Sequence, residues 1–286
     1  MSNNNLINLS ERFFVAGASG MVGSSVCRML NLLGYGNEAY YGKIFAPLRN
    51  ELDLLDTESV HSWFKSNKPS VVILAAAKVG GIYANKTYPA DFILENLKIQ
   101  TNIIEASWKN GVKRFLFLGS SCIYPKHAKQ PIIEDSLLTG LLESTNEWYA
   151  ISKISGIKLC QDLRKQYDFD EISVMPTNLY GTGDNYHTEN SHVMASLIRK
   201  FCSAVKFSEK EVLCWGTGNV FREFMHVDDL ARAIIFALER WNPDAPDAPT
   251  NKDDNPLTLI NVGTGKDISI KDLANKISEK VGFKGE

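Results

Sequence analysis

The sequence predicts a doubly wound α/β fold: a parallel sheet covered by helices on both faces, followed by a smaller, discontinuous C-terminal lobe. Three observations predict it. Up to Tyr180, short apolar runs alternate with stretches of helical periodicity. The buried runs are continuous rather than alternating, as in parallel strands covered on both sides. The first run ends in a glycine-rich turn that opens straight into a helix.

Taken in order, "RFFVAGASGMVGSSVCRML" reads as strand, glycine turn and helix, and "SVVILAAAKVGG" as a second buried strand. "FILENLKIQTNIIEASWKNG" has helical periodicity and stops at Gly111, a residue suited to a helix end. "KRFLFLGSS" is a further strand, "EWYAISKISGIKLCQDLRKQY" a helix, and "EISVMPTNLYG" a returning strand. Beyond Tyr180 the alternation lapses into the polar loop "GTGDNYHTENSHV" and the helical "VMASLIRKFCSAVKF". "EVLCWGTGNVFREFMHVDDLARAIIFALERW" starts strand-like and ends as an amphipathic helix after Val227-Asp228-Asp229. "NPDAPDAPTNKDDNP" should be an exposed loop of low order. "LTLINVGTG" then gives a strand and turn, and "SIKDLANKISEKVG" a helix with Ser269 as N-cap. The expected division is residues 1–178 as a dinucleotide-binding domain to which 223–265 return, with 179–222 and 266–286 as the lobe.

Bulk properties narrow the function. The 286 residues suit one large domain with a lobe attached, and the 44% hydrophobic and 22% charged content is that of an ordinary globular chain. A net charge of -2 gives no reason to expect nucleic acid or a membrane surface as partner. No apolar run reaches the ~20 residues that span a bilayer, and the polar start "MSNNNLINLSER" has no apolar core of a secretory signal. The five cysteines, Cys27, Cys122, Cys160, Cys202 and Cys214, are scattered without a C-x-x-C pair. That pattern fits reduced thiols in the cytoplasm, and no metal site is expected.

Gly17, Gly20 and Gly23 form G-x-x-G-x-x-G between strand and helix. Glycines there let backbone approach a pyrophosphate, although a tight strand-to-helix corner alone would also use them. Arg49, in "IFAPLRNELDLLD", stands near the end of the second strand. A carboxylate there would favour NAD, whereas a guanidinium suits the extra phosphate of NADP; a solvated surface arginine is the plainer alternative. Tyr149 and Lys153 are four apart on one helical face. A phenol of pKa about 10 becomes a workable acid/base group when an ammonium lies beside it. Ser120, at the end of "KRFLFLGSS", could donate to the same carbonyl oxygen. Alone, such a Tyr and Lys are more often a surface pair than a catalytic one; joined to the glycine turn and "GSS" they read as a catalytic pair.

"GASGMVG", "GSSC" and "YAISK" resemble the extended short-chain dehydrogenase/reductase family, whose core is of the Rossmann type. "LAAAKVGGIYANKTYPADFI", "LGSSCIYPKHAKQPI", "TNEWYAISKISGIKLC", "VMPTNLYGTGDNYH", "NSHVMASLIRKF" and "WGTGNVFREFMHVDDLA", in that order, are similar to its GDP-L-fucose synthase branch. The resemblance implies NADPH-dependent conversion of GDP-4-keto-6-deoxy-D-mannose, by epimerisation at C3 and C5 and then reduction at C4. It implies that Cys122 and His192 are base and acid, that Tyr149 and Ser120 bind the C4 oxygen, and that Lys153 holds the nicotinamide ribose. It further implies coenzyme contacts from Gly17, Ala18, Ser19, Gly20, Met21, Val22 and Gly23, from Leu118, Gly119, Ser120 and Ser121, from Pro176, Thr177, Asn178 and Leu179, and from His192. Lys200, Trp215 and Arg222 match positions that hold the GDP-sugar. Relatives pair through two long helices, so a homodimer is expected.

Taken without the resemblance, Cys122 would be a small buried apolar residue, His192 a surface histidine and Trp215 lobe core. Such proteins usually continue several tens of residues beyond "VGFKGE", so the chain is expected to be a fragment with an incomplete lobe. Ser19 stands where some relatives carry an arginine. The rival readings are a nucleotide-sugar 4-epimerase or dehydratase of the same fold, and a non-catalytic dinucleotide-binding fragment.

Overall fold

The computed structural model describes residues 5–188 and 190–286, without the side chains of Ile82, Tyr83 and Lys86. The first apolar run is strand β1 (Arg12–Ala16), and the glycine turn leads into helix α1 (Met21–Leu32). There follow β2 (Lys43–Phe45), α2 (Thr57–Asn67), β3 (Val71–Leu74), α3 (Ile82–Thr87), α4 (Pro89–Lys109) and β4 (Arg114–Leu118). Next come α5 (Glu147–Tyr167), β5 (Glu171–Pro176), β6 (Asn178–Tyr180), α6 (Val193–Phe207) and β7 (Phe221–His226). The chain closes with α7 (Val227–Arg240), β8 (Leu259–Val262), β9 (Asp267–Ser269) and α8 (Ile270–Val281).

Among the described residues six strands form a parallel sheet in the order β2-β1-β3-β4-β5-β8. Successive side chains of each strand leave on opposite faces. Phe14 and Ala16 therefore join Phe64, Phe115, Phe117 and Ile157 in one core, while Phe13 and Val15 join Val26, Leu116, Val174 and Ile234 in the other. Burial on both faces is why these strands lack polar alternation. The chain runs from β1 out to β2 and returns across β1 to β3, so direction reverses between β1 and β3. Their carboxyl ends therefore flank the crevice where such sheets bind ligands.

The second sheet is three-stranded, β6-β7-β9, with β6 and β7 parallel and β7 and β9 antiparallel. Helices α6 and α8 cover it through Met194, Leu197, Phe201 and Leu273, with Phe283 just beyond α8. Ser269 caps α8 as expected, its hydroxyl accepting from the Asp272 N–H at 3.0 Å. Helix α7 turns back to pack on α1, and β8 pairs with β5. The return to the large sheet thus starts at Val227; residues 223–226, expected on that side, belong to β7 in the small sheet.

Two further expectations change. "EISVMPTNLYG" is not one strand: β5 stops at Pro176, the Thr177 N–H donates to Val262 O at 3.2 Å, and β6 restarts in the other sheet. "EVLCW" forms no strand; the strand of that region is Phe221–His226, which finds partners on both sides in β6 and β9. The Pro- and Asp-rich segment is a loop, but an organised one: Asn251 Oδ1 accepts from the N–H groups of Asp253 and Asn255, each at 2.9 Å.

Glu223 of β7 joins the two parts. Its carbonyl accepts from Thr177 Oγ1 at 2.7 Å and Asn178 Nδ2 at 3.0 Å. Its carboxylate accepts from the N–H groups of Thr264 and Gly265 in the β8–β9 turn. A Cβ at Gly263 would sit 2.3 Å from that carboxylate, which explains the glycine.

Candidate active site

The glycine turn stands at the crevice. Gly17 has φ +88, and a Cβ on it would lie 2.7 Å from the backbone nitrogen of Ala76, beyond the end of β3. A Cβ on Gly23 would lie 2.1 Å from Gly17 O, so α1 closes on the turn only with glycine there. Gly20 differs: its Cβ would meet nothing nearer than 3.4 Å, and it is the N-cap of α1 with no side-chain cap. Ala18, Ser19, Met21 and Val22 complete the cradle, with Ser19 and Gly20 exposed. Unblocked helix N–H groups beside a backbone stripped of side chains suit an anionic diphosphate. Arg49 is exposed in the segment leaving the carboxyl end of β2, beside β1 and on the same edge as this cradle.

The catalytic candidates gather where β4 ends and α5 begins. Beyond Leu118 and Gly119, Ser120 caps a short 3₁₀ turn, Ser121–Ile123, and accepts weakly from the Cys122 N–H at 3.5 Å. Met175 of β5 fills the space under Gly119, where a Cβ would approach its sulfur to 2.2 Å. Tyr149 and Lys153 lie on α5, whose close approach requires Gly156: a Cβ there would meet Phe117 at 2.5 Å. Lys153 is buried and donates to Leu118 O at 2.8 Å; its Nζ stands 4.9 Å from the Phe117 ring centre and 5.8 Å from that of Tyr149.

Charge couples these groups. Burial pushes the Cys122 thiol up to about 11, against the lowering effect of the Ser120 hydroxyl and the Lys153 ammonium. Burial also brings Lys153 down to about 8, with a Cys122 thiolate acting in the opposite sense. The Tyr149 phenol is raised, first by burial and then by Cys122. A phenolate favoured by Lys153 is therefore not the resting state. Burial and the neighbouring Cys122 both favour the neutral phenol, while the ammonium gives its hydrogen bond to Leu118, and Tyr149 rests protonated.

The remaining residues spread over the rim. Pro176 ends β5; Thr177 and Asn178 are held by Glu223, and Leu179 lies on β6. His192 is exposed at the N-cap of α6, its side chain capping nothing. Its neighbours Asn190 and Ser191 touch Gly81 in the loop after β3, the Gly81 N–H donating to Asn190 O at 3.3 Å. Among the described contacts none joins His192 directly to Cys122. Lys200 and Trp215 come together: Lys200 Nζ is 5.3 Å from the indole and donates to Leu213 O at 2.8 Å. Trp215 is 84% exposed, so it is not lobe core. Arg222 is exposed on β7, bonded to the Phe221 carbonyl beside it.

Sequence reasoning missed the carboxamides of α4. Asn96 holds Lys78 by both N–H and carbonyl at 2.8 and 3.0 Å, and Gln100 donates to Ser152 O on α5 at 2.7 Å. Both are buried. Their i, i+4 spacing on the apolar face of "ENLKIQ" was the available signal, since buried amides demand partners.

The model of the NAD dependent epimerase/dehydratase family matches residues 13–249. GDP-L-fucose synthase 1 of Arabidopsis thaliana is 51% identical over 277 residues, covering 97% of this chain and 80% of that protein. GDP-L-fucose synthase of Escherichia coli (strain K12) is 50% identical over 275 residues, 96% of this chain and 83% of that one. Among solved structures, MlghC, a GDP-mannoheptose C4 reductase from Campylobacter jejuni with NADP bound, superposes with a TM-score of 0.85 at 35% identity, over 98% of this chain and 87% of that one.

Proposed function

The chain belongs to the NAD dependent epimerase/dehydratase family, and on that premise we propose that it converts GDP-4-keto-6-deoxy-D-mannose to GDP-L-fucose with NADPH. The relatives named GDP-L-fucose synthase, half identical over nearly the whole chain, support the substrate. The glycine cradle from Gly17 to Gly23, with Arg49 on its edge, supports the coenzyme. Leu118 to Ser121, Pro176 to Leu179 and His192 complete the coenzyme contacts, while Lys200, Trp215 and Arg222 hold the GDP-sugar. When bound, NADPH supplies a hydride to C4.

The other steps belong to side chains. A ketone at C4 acidifies the protons on C3 and C5. Cys122, as thiolate, takes each proton from one ring face and His192 returns one to the other, so the configuration inverts. Ser120 and Tyr149 donate hydrogen bonds to the C4 oxygen while it carries enolate charge. Tyr149 then gives its proton to that oxygen as the ketone is reduced, and its burial keeps the proton in place until needed. Lys153 holds the nicotinamide ribose and favours the Cys122 thiolate. The observation that carries this reading is the clustering of one thiol, one phenol and one ammonium at the end of β4.

The test is incubation of the protein with the keto-sugar and either coenzyme. The expected result is one NADPH oxidised per GDP-L-fucose formed. Turnover without net coenzyme consumption would replace this reading by a 4-epimerase or dehydratase. The protein acts in the cytoplasm, in keeping with scattered free thiols. It works as a homodimer through α4 and α5, which pack together and expose Leu94, Trp148 and Tyr167. Sedimentation at micromolar concentration checks that assembly, and a monomer would remove it.

A further inference from the structure

Two residues beyond Cys122 stands a second phenol. Tyr124 closes the Ser121–Ile123 turn, its N–H donating to Ser121 O at 3.3 Å, and its side chain is buried. The hydroxyl reaches across to β8 and donates to Asn261 Oδ1 at 2.6 Å. Asn261 is itself held twice: its backbone N–H donates to Glu134 Oε1 at 2.7 Å, and Nδ2 donates to Ile132 O at 3.1 Å. Because Asn261 pairs in register with Met175, the residue under Gly119, the phenol ties the turn to the body of the sheet.

Ile123 anchors the turn in the core, but few hydrogen bonds fix the Cys122 side of it. The bond nearest the thiol is long, 3.5 Å from the Cys122 N–H to Ser120 Oγ, and the Ile123 N–H reaches Ser120 O at 3.2 Å. A buried phenol needs a partner, and here the partner is a side chain that a third residue orients. Tyr149 and Lys153 are held by other means, through Ser152 O to Gln100 and through Leu118 O. Tyr124 touches neither tie.

We infer that Tyr124, acting through Asn261 and Glu134, is a positioning residue that sets where the Cys122 thiol stands, and so governs epimerisation without governing reduction. The inference rests on the role proposed above for Cys122. Proton abstraction demands hydrogen-bond reach, and a displacement of ~1 Å can lower such a step ~100-fold. Losing one of several restraints should move the thiol by less, so a fall of roughly 10-fold is expected.

The experiment compares the full chain with Tyr124→Phe, Asn261→Ala and the double variant. Deuterium uptake at C3 and C5 of the keto-sugar, in D2O without coenzyme, reads the thiol. Oxidation of GDP-L-fucose by NADP+ reads hydride transfer in reverse, before any epimerisation is needed. Exchange should fall roughly 10-fold in each single variant and no further in the double, while the oxidation rate stays within about twofold. Equal losses in both assays would make the staple a fold element only and overturn the inference. Unchanged exchange would overturn it as well. A parent protein without exchange removes the role of Cys122 and this inference together, whereas a parent that exchanges beside an indifferent variant removes the inference alone.

Discussion

Lys153 gives its hydrogen bond to the carbonyl of Leu118, 2.8 Å away, and leaves the Tyr149 ring centre 5.8 Å from its ammonium. The last residue of β4 and helix α5 are thereby clamped at one point, two residues before Ser120. Lys153→Met keeps the volume and removes the charge. The exposed cost of an unpaired Leu118 carbonyl is offset by relief of a buried ammonium, so thermal stability should stay within about 2 kcal/mol of the parent. Ketone reduction should fall at least ~100-fold. Unfolding curves with NADPH consumption separate the two effects.

Cys122→Ser should abolish solvent deuterium entry at C3 and C5, a loss of ~100-fold or more, while the fold persists. In the parent, the resting thiol titrates at about 11 and Lys153 at about 8. Exchange should therefore rise about tenfold per pH unit as the thiolate grows, with the slope easing near 8 as Lys153 loses the charge that favours it. A pH-independent exchange rate would remove Cys122 as the base.

The glycines of the cradle should separate by role. Gly23→Ala drives a Cβ into the Gly17 carbonyl and should cost several kcal/mol of stability, of the size seen for an overpacked core, about 1–3 or more. Gly20→Ala meets no atom nearer than 3.4 Å, so the fold should hold within about 1 kcal/mol while NADPH binding weakens. Denaturant titration and coenzyme fluorescence measure the pair.

Arg49→Ala should lower kcat/KM for NADPH at least ~10-fold more than for NADH, as expected when a guanidinium partners a phosphate. Equal losses with both coenzymes would remove Arg49 from the 2′-phosphate.

Glu171, at the start of β5, is buried with Oε1 unpartnered, and burial raises its carboxyl to about 8 against the lowering effects of Arg164 and Ser173. Below pH 4.5 both folded and unfolded states hold the proton. Between 4.5 and about 8 the unfolded carboxyl has released it and the folded one has not, so stability falls as pH rises. Glu171→Gln should remove that slope, gaining over the parent at pH 8 and matching it near pH 4.5.

Much of this was legible because parallel strands announce themselves: "RFFVA", "VVIL" and "RFLFL" are apolar throughout since both faces are buried. The glycine spacing, "GSSC" and the Tyr149–Lys153 register were local signals that the structure places on one sheet edge. What stayed hidden depends on distant partners. Nothing local marks Thr177 as a crossing between sheets, because the segment is apolar on both sides of it. "EVLCW" has strand composition without a neighbour to pair with. Tyr124 and Asn261 are 137 positions apart, and only the pairing of β5 with β8 brings them into contact. The resting proton on Tyr149 was hidden too, since it is set by burial, which no spacing reveals.

Glu223 receives from both chain crossings at once, Thr177 and Asn178 at the β5–β6 crossing and Thr264 and Gly265 in the β8–β9 turn. A tilt of the small sheet against the large one must therefore pivot near that glutamate or break these four bonds together. The two sheets share one axle, a single residue gripped through both its carbonyl and its carboxylate.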